Sequence, residues 1–180
     1  MLELITRDAN GEHALYILST KWLQDFLDIC FRHADCFTLN EAPWAMAIRK
    51  DLQLSLSPFL IQEVKTPKWF GYDYTSEPNT KWSTHAFIYR AESAAKEILL
   101  QHMPNVFFRE KDVDTPFPTL EDLCFFSDGR LFIGNVSHAR MLWAYPPNEE
   151  VELQLKQIAD WSYVDRPTPN LEEYLRWKSI

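Results

Sequence analysis

Glycine is scarce in this chain, with only four among 180 residues. Ordinary proteins contain about 7% glycine, so the chain has about a third of the usual amount. Loops that hold phosphate groups through their backbone need several glycines at fixed spacing, and the sequence contains no such motif. The G-x-S-x-G and H-E-x-x-H signatures of hydrolases are missing as well. These absences favour a protein that is not an enzyme.

Long apolar runs and a secretion signal are also missing. No apolar stretch approaches the roughly 20 residues that are needed to cross a bilayer. The first residues, MLELITRDANGEH, carry charge within their apolar stretch and lack the basic segment of a signal peptide. The chain has only three cysteines, an odd number, so we expect reduced thiols rather than a disulfide framework. Together these features predict a cytoplasmic protein.

One cluster, made of Cys30, His33 and Cys36, has the residue types of a metal site. On a continuous helix the two cysteines would be separated by a rise of about 9 Å. One tetrahedral zinc ion could reach both only if the helix ended near Ala34, and no fourth ligand follows at a suitable spacing. We therefore expect buried structural cysteines, no stoichiometric zinc and no other cofactor.

The residues that are present predict one globular α+β domain over residues 1–180. The hydrophobic and charged fractions, 46% and 24%, are both in the globular range. Strand patterns predict an N-terminal hairpin over residues 2–18, with a turn at 8–11, and a three-stranded antiparallel meander over residues 123–145. Helical spacing and capping residues predict helices over residues 21–34, 41–50, 93–103, 148–160 and 171–178. Strands that come in such groups favour an antiparallel sheet packed with several helices.

The middle of the chain is less regular. Leucines alternate with polar residues over 52–56, which predicts a half-buried strand. Residues 65–80 contain two prolines among polar groups and large rings, which predicts a long surface loop. We expect Trp69, Tyr72 and Tyr74 from this loop to anchor a protein interface, because Trp and Tyr are enriched in such anchors. The alternative is that Trp69 and Phe70 fold back as a lid on the sheet.

Negative charge is concentrated in the second half of the chain. The formal net charge is −8, and residues 91–180 contribute −6 of it through 15 acidic and 9 basic groups. Such a surface repels nucleic acid and anionic membranes and attracts basic proteins. The sequence therefore predicts a protein-binding module, with a neutralising or immunity-type role against a basic partner domain as the specific hypothesis.

The competing hypothesis is a small enzyme or ligand binder with a pocket near the 65–80 loop. Its polar groups would be His85, His138 and Arg140, of which His138 follows a predicted strand at the rim of the sheet. The neighbouring Ser137 is not a nucleophile for His138, since adjacent side chains in a strand point to opposite faces. The pair Glu121–Asp122 has the chemistry for acid–base work or for binding a hard cation, but its sequence context does not distinguish these roles from a structural one.

Overall fold

Eight antiparallel strands form one sheet in the computed structural model, which describes residues 1–6, 19–41, 50–73, 83–107 and 120–171. The strands of this sheet are β1 (Leu2–Leu4), β2 (Cys36–Glu41), β3 (Leu60–Thr66), β6 (Thr84–Arg90), β7 (Glu121–Ser127), β8 (Arg130–Val136), β9 (Met141–Ala144) and β10 (Trp161–Tyr163). Their spatial order is β10-β1-β9-β8-β7-β2-β6-β3. A separate two-stranded hairpin is formed by β4 (Lys68–Trp69) and β5 (Tyr72–Asp73). The predicted α+β class is confirmed.

Helices cover one face of the sheet, which we call the helix face. Those within the described ranges are α1 (Thr20–His33), α2 (Lys50–Leu56), α3 (Ser93–His102) and α4 (Glu149–Ile158). The first begins where the sequence predicts, because the Ser19 side chain accepts a hydrogen bond from the backbone N–H of Trp22. None of these helices has the length and apolar character that crossing a membrane requires.

The predicted meander is present as β7, β8 and β9. Asp128 and Gly129 join β7 to β8 with φ angles of 49° and 71°, the positive values that a type I′ hairpin turn needs at both central positions. Both faces of β7 are buried. Phe125 packs into the core on the helix face, and Cys124 packs on the opposite face. The meander therefore runs through the middle of the molecule.

The prediction of a strand over residues 52–56 is wrong, because this segment lies in helix α2. Leu52 and Leu56 are fully buried, whereas Leu54 is 70% exposed. Residues four apart share one face of a helix, so this helix buries its first and last leucines and leaves the middle one in solvent. Alternating leucines in so short a run fit either periodicity, and packing against α3 decides between them.

The N-terminal strand finds different partners from those predicted. β1 pairs with β10 on one side and with β9 on the other, so both of its hydrogen-bonding edges are occupied. Residues 7–18, which contain the rest of the predicted hairpin, lie outside the described residues, as do 42–49 and 172–180 from two predicted helices.

The β4–β5 hairpin packs on the second face of the sheet, which we call the hairpin face. Trp69 lies against Ala86 of β6, and the ring of Phe70 meets Trp143 of β9 edge to face, with centroids 5.5 Å apart. Gly134 leaves room for that ring, since a Cβ there would be 2.3 Å from Phe70 Cζ. Residues 65–73 therefore form the end of β3 and a packed hairpin, which corrects the predicted surface loop over this part.

Candidate functional site

The predicted aromatic anchors do not form an exposed group in the described residues. Trp69 is only 2% exposed, so its side chain folds back onto the sheet, as the alternative prediction has it. Tyr72 pairs with Trp69 in the hairpin, but its side chain is not described, and Tyr74 lies outside the described residues. Trp69 is therefore part of the core on the hairpin face, because its ring covers Ala86 and has no solvent-facing surface to offer a partner.

His85, which lies on β6, is located between two carboxylates from the neighbouring strands. Its Nδ1 is 3.4 Å from an oxygen of Glu41, and its Nε2 is 3.3 Å from an oxygen of Glu63. The two contacts use opposite nitrogens of the ring, so the carboxylates are held on different sides of the imidazole. This geometry brings together side chains from three neighbouring strands, β2, β6 and β3. It does not place the three groups around a common point.

His138 lies close to Glu121 and Asp122, which precede it by 17 and 16 residues in the chain. Their ligand atoms, one carboxylate oxygen from each acid and one ring nitrogen, all lie within 4.8 Å of one another. Glu121 and Asp122 are buried, at 2% and 0% exposure, whereas His138 is exposed. We call these three residues the carboxylate–imidazole cluster. Among the described residues, it is the one group of three His, Cys, Asp or Glu side chains whose ligand atoms are close enough together to hold a metal ion.

A β-bulge at the start of β7 brings the two carboxylates together. In a regular strand neighbouring side chains point to opposite faces. Asp122 instead has a φ of 59°, in the left-handed region that aspartate tolerates better than most residues. The register between β2 and β7 shifts at this point. The bulge changes the direction in which the side chains at this point of the strand project, as bulges commonly do next to functional sites.

The Asp122 carboxylate is fixed by reciprocal hydrogen bonds with Ser137. Asp122 Oδ1 accepts from the backbone N–H of Ser137 at 2.6 Å, and Ser137 Oγ accepts from the backbone N–H of Asp122 at 3.0 Å. Ser137 begins the short 3-10 turn Ser137–Ala139 that carries His138. Arg140 ends this turn in the left-handed conformation with φ 53°. Asp122 and His138 are thus tied to one another through a single buried serine.

Asn40 lies beside the cluster on the hairpin face. It pairs with Ala86 of β6 on one side and with Glu121 of β7 on the other. Trp69 packs against Ala86. Paired residues of antiparallel strands share a face, with Cβ atoms about 5 Å apart. The Asn40 side chain is fully buried, and neither its Oδ1 nor its Nδ2 has a hydrogen-bond partner in the part of the chain that the structure describes. Such a group is costly to bury unless a ligand or water meets it.

The cysteines do not form a metal site. Cys30 packs into the core on the helix face, and Cys36 packs on the hairpin face with Phe126 and Leu131. Because the sheet separates them, a single ion cannot bind both sulfur atoms. Burial raises the pKa of the Cys36 thiol to about 11, and the negative charge of Asp35 adds to this effect. All three cysteines are free thiols.

We expect Cys36 to be alkylated slowly, because the thiolate is the reacting species. With iodoacetamide, the rate at Cys36 in the native protein should still rise about tenfold per pH unit between about pH 8 and about pH 10. The same peptide in the urea-denatured chain should level off near the ordinary thiol pKa. Mass spectrometry of the Cys36 peptide measures both rates, and a native profile that levels off with the denatured one would contradict the raised pKa.

A second surface combines exposed apolar side chains with acidic groups. Leu153 on α4 is 61% exposed and Tyr163 on the edge strand β10 is 69% exposed. The Tyr163 hydroxyl bonds the Glu152 carboxylate, and Lys156 Nζ lies 4.4 Å from the centre of the Tyr163 ring. We call this surface the acidic corner. Its members are Glu149, Glu150, Glu152, Leu153, Lys156 and Tyr163.

A cleft of about 610 Å³ lies at the other end of the sheet from the carboxylate–imidazole cluster. The β7–β8 turn and the segment before α4 line it, with Asp128, Arg130 and Glu152 as its charged groups. It contains none of the three residues predicted to contact a small ligand, since His85, His138 and Arg140 all lie near the opposite ends of their strands. This cleft is therefore not the pocket that the sequence predicts near the 65–80 loop.

Comparisons of the chain with protein-family models, with curated proteins and with solved structures find no match. The function must therefore be argued from the chain's own surfaces. Sequence reasoning named Glu121, Asp122 and His138 but did not connect them, because the bulge that unites them leaves no local signal. It missed Tyr163 entirely, since a three-residue edge strand is too short to recognise by periodicity.

Proposed function

We propose that this protein is a cytoplasmic binding module for a basic protein partner, with a neutralising role of the immunity type. The observation that carries the proposal is the acidic corner, where an exposed tyrosine and an exposed leucine are surrounded by glutamates. Tyrosine is enriched among the residues that dominate binding energy. Interfaces commonly combine such apolar anchors with a polar rim that excludes water from them.

The charges of the acidic corner favour a basic partner. Glu149 and Glu150 are exposed in the first turn of α4 and form no ion pair with a described residue. Lys156 is the one cation among the members of this surface, and Glu152 neutralises it at 2.6 Å. The surface is therefore negative overall, in agreement with the net charge of the second half of the chain. Such a field raises the association rate of a basic protein and makes that rate fall with salt.

The anchor that we propose is Tyr163 with Leu153, in place of Trp69. Helix geometry brings Leu153 next to Glu149 and Lys156, which lie four residues before and three residues after it. Tyr163 lies on the neighbouring turn through its contacts with Glu152 and Lys156. Lys156 is thus a neighbour of both apolar groups, and the glutamates of the same helix lie beside them. The contribution of Tyr72 and Tyr74 to a partner interface stays a prediction.

The second candidate function, a ligand-binding protein or small enzyme that uses His138, is supported by a different observation. His138 meets two buried carboxylates, whereas His85 belongs to a separate charge network and Arg140 only ends the turn. This site lies on β7 and on the turn after β8, whereas the acidic corner lies on α4 and β10. It is therefore independent of the partner proposal.

We expect Tyr163→Ala to weaken partner binding by about 2 kcal/mol or more, a factor of about 30, and to leave the melting temperature nearly unchanged. The immobilised full-length protein would first capture its partner from a native lysate, and the purified partner would then be titrated against each variant. Because Tyr163 is mostly solvent-exposed, its truncation creates no cavity. Glu149→Lys with Glu150→Lys should slow association and reduce its salt dependence.

Leu54→Ala is the matched control, since Leu54 is equally exposed but lies on α2. It should bind the partner as the wild type does. A captured protein with acidic net charge, or one whose affinity is the same for the wild type and Tyr163→Ala, would contradict the proposal. Tyr163→Phe separates the ring from the hydroxyl and should retain most of the affinity.

A further inference from the structure

The carboxylate–imidazole cluster has the donors of a metal site at a spacing that one ion can bridge. Carboxylate oxygens and imidazole nitrogens bind divalent first-row metals at about 2.0–2.2 Å. The three atoms of the cluster lie within 4.8 Å of one another, so small side-chain rotations would bring them around a common centre. His85 is different, because the carboxylates of Glu41 and Glu63 contact opposite nitrogens of its ring and cannot share an ion with each other.

The burial of the cluster supports a cation. Glu121 and Asp122 are adjacent in sequence and almost completely removed from solvent. Carboxylates that proteins bury are commonly paired with other groups or used to coordinate a metal. A divalent ion at the centre of the cluster would take one oxygen from each carboxylate and a nitrogen of the imidazole as its third ligand. His138 is on the exposed side, so an ion can enter from solvent.

The surrounding hydrogen bonds hold the ligands in place before an ion arrives. Ser137 fixes Asp122 through both its backbone N–H and its hydroxyl, and Asn135 Nδ2 donates to that hydroxyl at 3.3 Å. Supporting bonds of this kind orient the ligands of known metal sites. They also link β7 to the turn that carries His138.

Asn40 is the independent observation that points to a ligand. Both of its polar side-chain atoms are fully buried and have no hydrogen-bond partner among the described residues, and its strand register places it directly beside Glu121. An amide oxygen in this position would complete the donor set or bind a water molecule on the ion. Either arrangement would supply the partner that Asn40 lacks in the described part of the chain.

We propose that Glu121, Asp122 and His138 bind one divalent transition-metal ion, with the Asn40 side chain facing it. The imidazole favours zinc and its neighbours in the first transition row over magnesium and calcium, which prefer oxygen donors alone. This site departs from the sequence-based expectation that the chain binds no metal, an expectation that rested on the cysteines. It does not depend on the proposed partner or on the acidic corner.

Calorimetric titration of the full-length, metal-free protein with Zn²⁺, Mn²⁺ and Mg²⁺ tests the proposal. We expect one Zn²⁺ per chain, weaker binding of Mn²⁺ and at least about tenfold weaker binding of Mg²⁺, in the usual order for nitrogen-containing sites. His138→Ala should lower the Zn²⁺ affinity at least about tenfold, since even residues that only support the ligands cost about that much. His138 is exposed, so this variant should fold. Glu121→Gln should show the same loss.

Two controls separate this site from the other groups with similar chemistry. His85→Ala removes an imidazole that also lies between two carboxylates, and Cys36→Ser removes the thiol of the sequence cluster. Both should bind Zn²⁺ within about twofold of the wild type. The proposal is overturned if the wild type shows no saturable binding, if Mg²⁺ binds as tightly as Zn²⁺, or if His138→Ala binds as the wild type does. An equal loss in Cys36→Ser and His138→Ala would also overturn it.

Discussion

Replacing Trp69 with alanine is expected to lower the free energy of unfolding by about 3–5 kcal/mol. The indole is 2% exposed and packs against Ala86, with Phe70 and Leu171 around it. Its removal leaves a cavity between the β4–β5 hairpin and the sheet that this short hairpin cannot close. Urea denaturation of the wild type and the variant measures the change.

The same variant tests whether Trp69 is an interface anchor. At a temperature where it remains folded, we expect Trp69→Ala to bind the partner as the wild type does. Trp69→Phe, which fills more of the cavity, should be closer to the wild type in stability. A Trp69→Ala protein that kept its stability but lost its partner would show that the ring anchors the interface instead.

Phe125→Ala is expected to cost about 3–5 kcal/mol as well. Phe125 is fully buried in the middle of β7, and its ring meets Phe31 edge to face at 5.3 Å and Phe37 at 5.9 Å. The substitution therefore removes aromatic contacts between α1 and two central strands. Ile133→Ala, at the position paired with Phe125, should cost about 2–4 kcal/mol.

Leu54→Ala is again the control, because an exposed leucine should change the stability by less than about 0.5 kcal/mol. Native-state hydrogen exchange gives a second measure. The amides of β7 and β8, in the middle of the sheet, should exchange more slowly than those of the edge strand β10. Faster exchange in the meander would show that it is not the most stable part of the protein.

Local signals were enough for α1, α3, α4 and the meander. The Ser19 cap and the apolar spacing of Trp22 and Phe26 mark α1, and the Asp128–Gly129 turn marks the β7–β8 hairpin. Each of these features depends on residues within a few positions of one another, so the chain dictates them before any distant contact forms. The same holds for the acidity of the second half, which is a matter of composition.

Only the tertiary structure decided which distant segments meet. Whether the leucines of 52–56 form a helix or a strand depends on the element that they pack against, and β1 lies between β9 and β10 because those late strands complete its two edges. Trp69 is buried because a hairpin folds onto β6, and its neighbours in sequence carry no sign of this. The carboxylate–imidazole cluster depends on a bulge at Asp122 and on a turn 15 residues later. Side chains converge there through backbone geometry, which is set by pairing between strands and not by the order of residues along the chain.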